Sequence, residues 1–292
     1  MAVMEVLNFG NLPGSPGATP GILGRSPGVN QEAADEIVRL CNSWGQPTLA
    51  EKPHGAILSF PLKANVKFAP KGAFAVIKVQ WSPNLLFQAA ILGKSDYAAY
   101  GYNPFALVEA GAFPVWDAAM VPGRRTLKPL DGALNISPPP SPEDVGLVDE
   151  ALHQLLSSHK LYLPIISPCE ASDRCLALLI EVIPEALKQQ LRFASYAPSP
   201  ANGYHLAATA NAGCEFSGWK RLMMTLVGAA LPDNLDRYVK KVRDCLAFGD
   251  LEVIKEESRL LNLNRQETEV KKAQPAKPEI PLVAAVKRTQ PR

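Results

Sequence analysis

Histidine and cysteine are scarce in this chain, and the scarcity removes whole classes of chemistry. Four histidines (His54, His153, His159 and His205) stand in 292 residues, and no two share the spacing of a metal site. His153 and His159 are six apart, so on one helix they point in different directions. The five cysteines, Cys41, Cys169, Cys175, Cys214 and Cys245, are odd in number and scattered, and the step from Cys169 to Cys175 is no zinc-knuckle spacing. Neither a metal site nor a disulfide framework is expected. Long apolar runs are missing too. Stretches such as Cys175 to Ile180 or Val227 to Leu231 fall far short of the ~20 residues that cross a bilayer. The N-terminus lacks the basic flank and apolar core of a signal peptide. No membrane contact and a cytoplasmic setting are the expectation.

What is present is the composition of a globular protein, with 47% apolar and 20% charged residues. The net charge of +2 is unevenly divided: residues 264–292 carry +4, which leaves −2 for the rest. That tail also gathers prolines and loses periodicity, so it is read as disordered. Its basic residues allow a nucleic-acid contact, but it has no aromatic side chain on which bases could stack, and nucleic acid is not favoured as a partner.

Residues 172–199 carry the clearest architecture. Ser172 or Asp173 caps a helix, and Cys175 to Ile183 is apolar except for Glu181, which places that helix inside a sizeable domain. Pro184 interrupts it and suits the first turn of a second helix. Leu191 to Tyr196 alternates as a strand, and Ala201-Asn202-Gly203 then reads as a hairpin turn into a strand from Tyr204 to Ala210. Upstream, Glu5 to Phe9 and Ile22 to Arg25 are strand candidates. Asn30 caps an amphipathic helix with Ala33, Ile37, Leu40, Cys41 and Trp44 inward, and with Glu32, Asp35, Glu36 and Arg39 toward solvent. Ala56 to Leu62, Ala73 to Trp81 and Leu85 to Leu92 form an antiparallel meander. Asp96 to Tyr100 and Asn103 to Ala110 form a helical excursion, and Glu143 to His159 an amphipathic helix followed by a strand at Lys160 to Ile166. Gly218 to Leu231, Leu235 to Phe248 and Leu251 to Leu261 make a helical C-terminal part.

The expected fold is α+β: a mixed or antiparallel sheet of about five to seven strands covered by helices. It is expected as a single domain over 1–263, with a sub-boundary in the Pro/Gly-rich 111–142 stretch as the alternative, and 264–292 as tail.

No motif amounts to a reaction. Gly10 to Gly28 holds six glycines and four prolines in nineteen residues, yet it has neither the Lys-Ser/Thr ending of a Walker loop nor the dinucleotide glycine spacing, so no cofactor is expected. Arg25, Ser26 and Gly28, just ahead of a helix start, are candidates to hold an anion, with simple helix capping as the plainer reading. Arg174 and Arg192 are candidates to meet a partner's acidic group, with internal salt bridging as the plainer reading. No catalytic residue stands out. A hydrolase would have to assemble its site in the fold, from Cys214 or a serine with His205.

The strand, glycine-rich loop and LGRSPGV that open the chain, the aromatic-led strand LLFQAAIL from Leu85 to Leu92 and the strand LRFASYAPS together resemble the N-terminal region of GTPase-associated adaptor proteins of bacterial conflict systems. That family usually carries a histidine near the position of Gln88 and a Ser-Thr pair where Ala194-Ser195 stand. The resemblance implies a non-enzymatic adaptor working with a GTPase, and transfers no catalytic residue. The favoured expectation is therefore an interaction module with a protein partner. A fold-assembled hydrolase and nucleic-acid association through the tail are the alternatives.

Overall fold

The computed structural model describes residues 1–11, 19–45, 55–81, 85–115, 122–128, 140–158, 160–164, 169–198, 203–209, 231–258 and 260–261. One mixed, mostly antiparallel sheet runs through it. Its strands are β1 (Ala2–Gly10), β2 (Gly21–Arg25), β3 (Ala56–Leu62), β4 (Ala73–Trp81), β5 (Leu85–Gly93), β6 (Arg125–Leu127), β7 (Leu161–Pro164), β8 (Phe193–Ala194) and β9 (Leu206–Thr209). The spatial order is β2-β1-β5-β4-β3-β8-β9-β7, with β6 also paired to β1. The β3-β4-β5 meander forms as the alternation demands, with full ladders from Ala56 opposite Val79 and from Phe74 opposite Leu92. Nine strands exceed the expected five to seven; β6, of three residues, is too short to leave a periodic signal, while β8 keeps only Phe193–Ala194 of the strand expected over Leu191 to Tyr196. β6 lies inside the 111–142 stretch and joins the sheet at Ala2 to Met4.

Helices cover both faces. On one face lies α1 (Gln31–Trp44), begun by Asn30, whose Oδ1 accepts from the Ala33 amide at 2.9 Å. Ile37, Cys41 and Trp44 pack there on Leu7, Phe9, Leu58, Ile77 and Phe87. On the opposite face, α2 (Lys94–Ala98) and α3 (Pro104–Glu109) cover Met4, Phe74, Val76 and Leu92 at one end of the sheet. At the other end lie α4 (Pro142–Ser158), α5 (Cys169–Val182), the single turn α6 (Glu185–Lys188), α7 (Asp233–Phe248) and a helix over residues 251–258, α8. They enclose Phe193, Leu206 and Ala208 in a core of their own. Among the described residues no helix is long and apolar enough to cross a membrane. The helix expected over Gly218 to Leu231 and the tail 264–292 lie outside the described residues.

The hairpin expected after β8 does not form. β8 and β9 run parallel, Phe193 opposite Leu206 and Ala194 opposite Ala207. After β8, the Tyr196 carbonyl meets Trp44 of α1, and β9 begins with Leu206 beside Phe193 at the start of β8. Gly203 takes the positive φ of a turn (+70°), but the strands before and after it run parallel and so make no hairpin.

Two contacts draw the halves of the sheet together. Ser195 pairs with Ile57 through its amide (2.8 Å to the Ile57 carbonyl) and its hydroxyl (2.9 Å from the Ile57 amide). Trp44 Nε1 donates to the Tyr196 carbonyl at 2.8 Å, and its ring meets Phe87 and Tyr196 edge-on at 5.9 Å. Trp44 is 1% exposed. Trp44→Ala therefore removes a buried ring and its hydrogen bond to the Tyr196 carbonyl, and is expected to cost about 3–5 kcal/mol in urea unfolding. Trp44→Phe, which keeps most of the packing, is expected to cost less than half of that.

Candidate functional site

Where α1 passes the end of β3 it leaves an open groove of about 460 Å³, lined among others by Glu32, Glu36, Arg39, Phe60, Lys63 and Arg192. The α1 wall is fixed by Glu36. Its carboxylate accepts from the Lys63 amide at 3.1 and 3.0 Å and from the Ala64 amide at 2.8 Å, the backbone donors left over where β3 ends. Glu36 belongs to the buried set, 8% exposed, and this corrects its expected place on the solvent side of α1. Its carboxylate is held by neutral backbone amides and still places a negative charge in the groove lining.

Arg192 forms the opposite wall. Its backbone is held by β9: the carbonyl accepts from the His205 and Leu206 amides at 2.8 and 3.2 Å, and its amide donates to His205 Nδ1 at 3.3 Å. The guanidinium lies 5.4 Å from the centroid of the Phe60 ring, and Phe60 is backed by Tyr204, ring centroids 5.6 Å apart. Such stacking contributes roughly 0.5–1 kcal/mol and, more usefully, fixes the plane of the fork. Among the described residues the guanidinium meets no carboxylate and makes no hydrogen bond. Arg39 and Lys63, both exposed, likewise have no ion pair among the described residues. Three cations thus face two carboxylates, Glu32 and the backbone-held Glu36. Burial pushes the Tyr204 phenol well above its ordinary range, and the nearby Arg192 charge only partly opposes that, so Tyr204 stays neutral.

The other sequence candidates lie elsewhere. Arg25 is exposed, its Nη1 donating to Gln31 Oε1 at 2.9 Å. Ser26 is buried, accepting from the Val6 amide at 2.8 Å and donating to the Val6 carbonyl at 3.2 Å. Gly28 lies against the Glu5 carboxylate, where a Cβ would come within 2.3 Å of the carboxyl carbon. These three therefore stand together, but they fasten β1 to the start of α1. Arg174 reaches Asp144 across 3.5 Å between α5 and α4. Arg192 alone of the five lines the groove. Phe60, Arg39 and Lys63 carried no signal beyond strand alternation and exposed charge, so sequence reasoning passed over them.

His205, half of the hydrolase alternative, has its Nδ1 occupied by the Arg192 amide, and Cys214 lies outside the described residues. Burial raises the thiols of Cys41 and Cys175, the latter to about 12, so neither is a thiolate at neutral pH. Among the described residues no group of His, Cys, Asp and Glu is placed to hold a metal ion. Comparison of the chain with protein-family models, with curated proteins and with solved structures finds no match.

A second polar cluster lies where Pro184 breaks the helical run. Lys188 Nζ donates to the Glu181 carbonyl at 2.9 Å, and Asn103 Nδ2 donates to Glu181 Oε1 at 2.7 Å. This is a lysine satisfying the last carbonyls of α5. Burial lowers its pKa to about 8 even with Glu181 and Glu185 nearby. The unfolded chain binds that proton up to the ordinary lysine range, so the folding stability supplied through Lys188 rises with pH from about 8 toward 10.5. Urea unfolding at pH 7 and pH 10 is expected to show the wild type gaining on Lys188→Met as pH increases. A gain in the reverse direction would place the charged amine in a favourable site.

Proposed function

We propose that this chain is a non-enzymatic interaction module, an adaptor, whose α1–β3 groove seats an acidic group of a partner protein on Arg192. One observation carries the reading: a guanidinium lying over the Phe60 ring, half-buried, and without an ion pair among the described residues. Internal salt bridging, the plainer reading for such an arginine, supplies a carboxylate, as Asp144 does for Arg174. Arg192 instead presents its donors into a groove.

A fork held in this way accepts a carboxylate through two parallel hydrogen bonds with little rotamer entropy left to lose. Arg39 and Lys63 at the rim raise the encounter rate with an acidic surface. The groove is half open to solvent, which admits a protruding side chain or chain segment of a partner. The resemblance of Leu85–Leu92 and of LRFASYAPS to GTPase-associated adaptors makes a GTPase the first partner to try, in a cytoplasmic setting.

The test is retention of a partner from the native host by wild-type protein and by Arg192→Ala, each checked for unchanged circular dichroism. Loss of a central interfacial arginine costs about 2 kcal/mol or more, so at least thirtyfold weaker retention of the same protein is expected. Arg192→Lys is expected to restore little of it, because a lysine cannot supply the fork. A partner held equally by Arg192→Ala would remove the groove from the account.

A further inference from the structure

The sheet face opposite α1 carries a second polar feature that the groove does not use. Successive rows across β1, β5 and β4 are apolar where α2 and α3 cover them: Met4, Leu92 and Phe74, then Val6, Ala90 and Val76. The next row on the same face breaks the pattern. Asn8 stands opposite Gln88, and Gln88 opposite Lys78.

Asn8 and Gln88 are 6% and 4% exposed, yet Asn8 Oδ1 and Gln88 Oε1 have no hydrogen-bond donor among the described residues. Gln88 is held by its amide nitrogen, which donates to the Pro114 carbonyl at 3.3 Å, so its oxygen is turned away from that contact. Pro122 lies over Gly24, the β2 neighbour of Asn8, which covers the row from the other side. Lys78 is half-buried and has no ion pair among the described residues. Three neighbouring strands, with paired Cα atoms about 5 Å apart, therefore place side by side two buried acceptors without donors and one lysine without an anion, among the described residues.

The geometry points to a binding site for a small zwitterion of free amino-acid type. Its ammonium donates to the carboxamide oxygens of Asn8 and Gln88, and its carboxylate pairs with Lys78 Nζ. Each unmet demand of the row is answered by one end of such a molecule, and the two ends lie on a single carbon, as neighbouring strands require. A metal cation fits less well because Lys78 would repel it. A simple anion would face two carbonyl oxygens. A nucleobase is too large for a position where Asn8 and Gln88 are so nearly sealed, whereas an ammonium head is small. Approach is from the Lys78 side, the only partly open member of the row.

This inference does not depend on the Arg192 groove, and Arg192→Ala serves as its control. The full chain is to be titrated with each of the twenty L-amino acids, followed by thermal unfolding and calorimetry. At least one is expected to bind saturably and raise the melting temperature. Its decarboxylated amine and its deaminated acid are each expected to bind tenfold or more weakly. Lys78→Met should weaken binding at least tenfold and Gln88→Leu should abolish it, while Arg192→Ala leaves it unchanged. The site is overturned if none of the twenty shifts the transition. It is equally overturned if the bare amine binds as tightly as the amino acid, or if Lys78→Met and Gln88→Leu bind as the wild type does; in these cases the row is filled by water.

Discussion

The two-residue strand β8 is the joint on which the molecule depends. Phe193 and Ala194 pair with β3 on one side and with β9 on the other, so the antiparallel half of the sheet continues into the parallel pair β9-β7 through this point. Two residues supply little ladder, and the joint is reinforced from outside it. The Ser195 amide and hydroxyl close on Ile57, and Trp44 reaches from α1 to the Tyr196 carbonyl. Side chains alternate correctly across it as well: Ala194 faces the core under α1, while Phe193 enters the core built by α4, α5 and α7. A slip of one residue would exchange a phenylalanine for an alanine in both cores at once, which fixes the register.

The groove is a consequence of that joint. Arg192 precedes β8 by one residue, and its carbonyl and amide are held by His205 and Leu206 from β9. Phe60, on which its guanidinium lies, belongs to β3, and the facing wall belongs to α1. No one segment contains the site. It exists because the residue just ahead of β8 is an arginine, set beside the edge of a helix that packs on the meander. The same dependence accounts for Glu36, whose carboxylate spans from α1 to the end of β3 and so sets the width of the groove.

Local order was legible in the sequence wherever one residue's environment is set by its near neighbours. The Asn30 cap with apolar positions at i+3, i+7 and i+11 specified α1, and alternation specified β3, β4 and β5. The apolar run broken by Pro184 specified α5 and its end. Longer-range features were not legible. Alternation over Leu191 to Tyr196 announced β8 but not that Phe193 and Ala194 alone would pair, and the turn signal at Gly203 does not tell whether the strands around it run antiparallel or parallel. Glu36 falls on the polar side of a helical projection, and only the arrival of the Lys63 and Ala64 amides makes that position buried. Arg192 was legible as an arginine beside apolar structure. Whether it has a carboxylate partner depends on which residues the fold brings near, and Arg174 and Arg192 look alike until it does.

Hydrogen exchange at the joint tests the central claim, that the two halves form one cooperative unit and the groove exists only when they are joined. The amides of Ile57, Ser195 and Ala197 are to be compared with those in the middle of β4 and β5 as denaturant is raised. If β8 couples the halves, these amides exchange through the same global opening as Val76 and Ala90, with the same denaturant dependence. Exchange of Ile57 and Ser195 through a separate opening of lower free energy, with β4 and β5 still closed, would contradict it, and the groove would then be a transient surface.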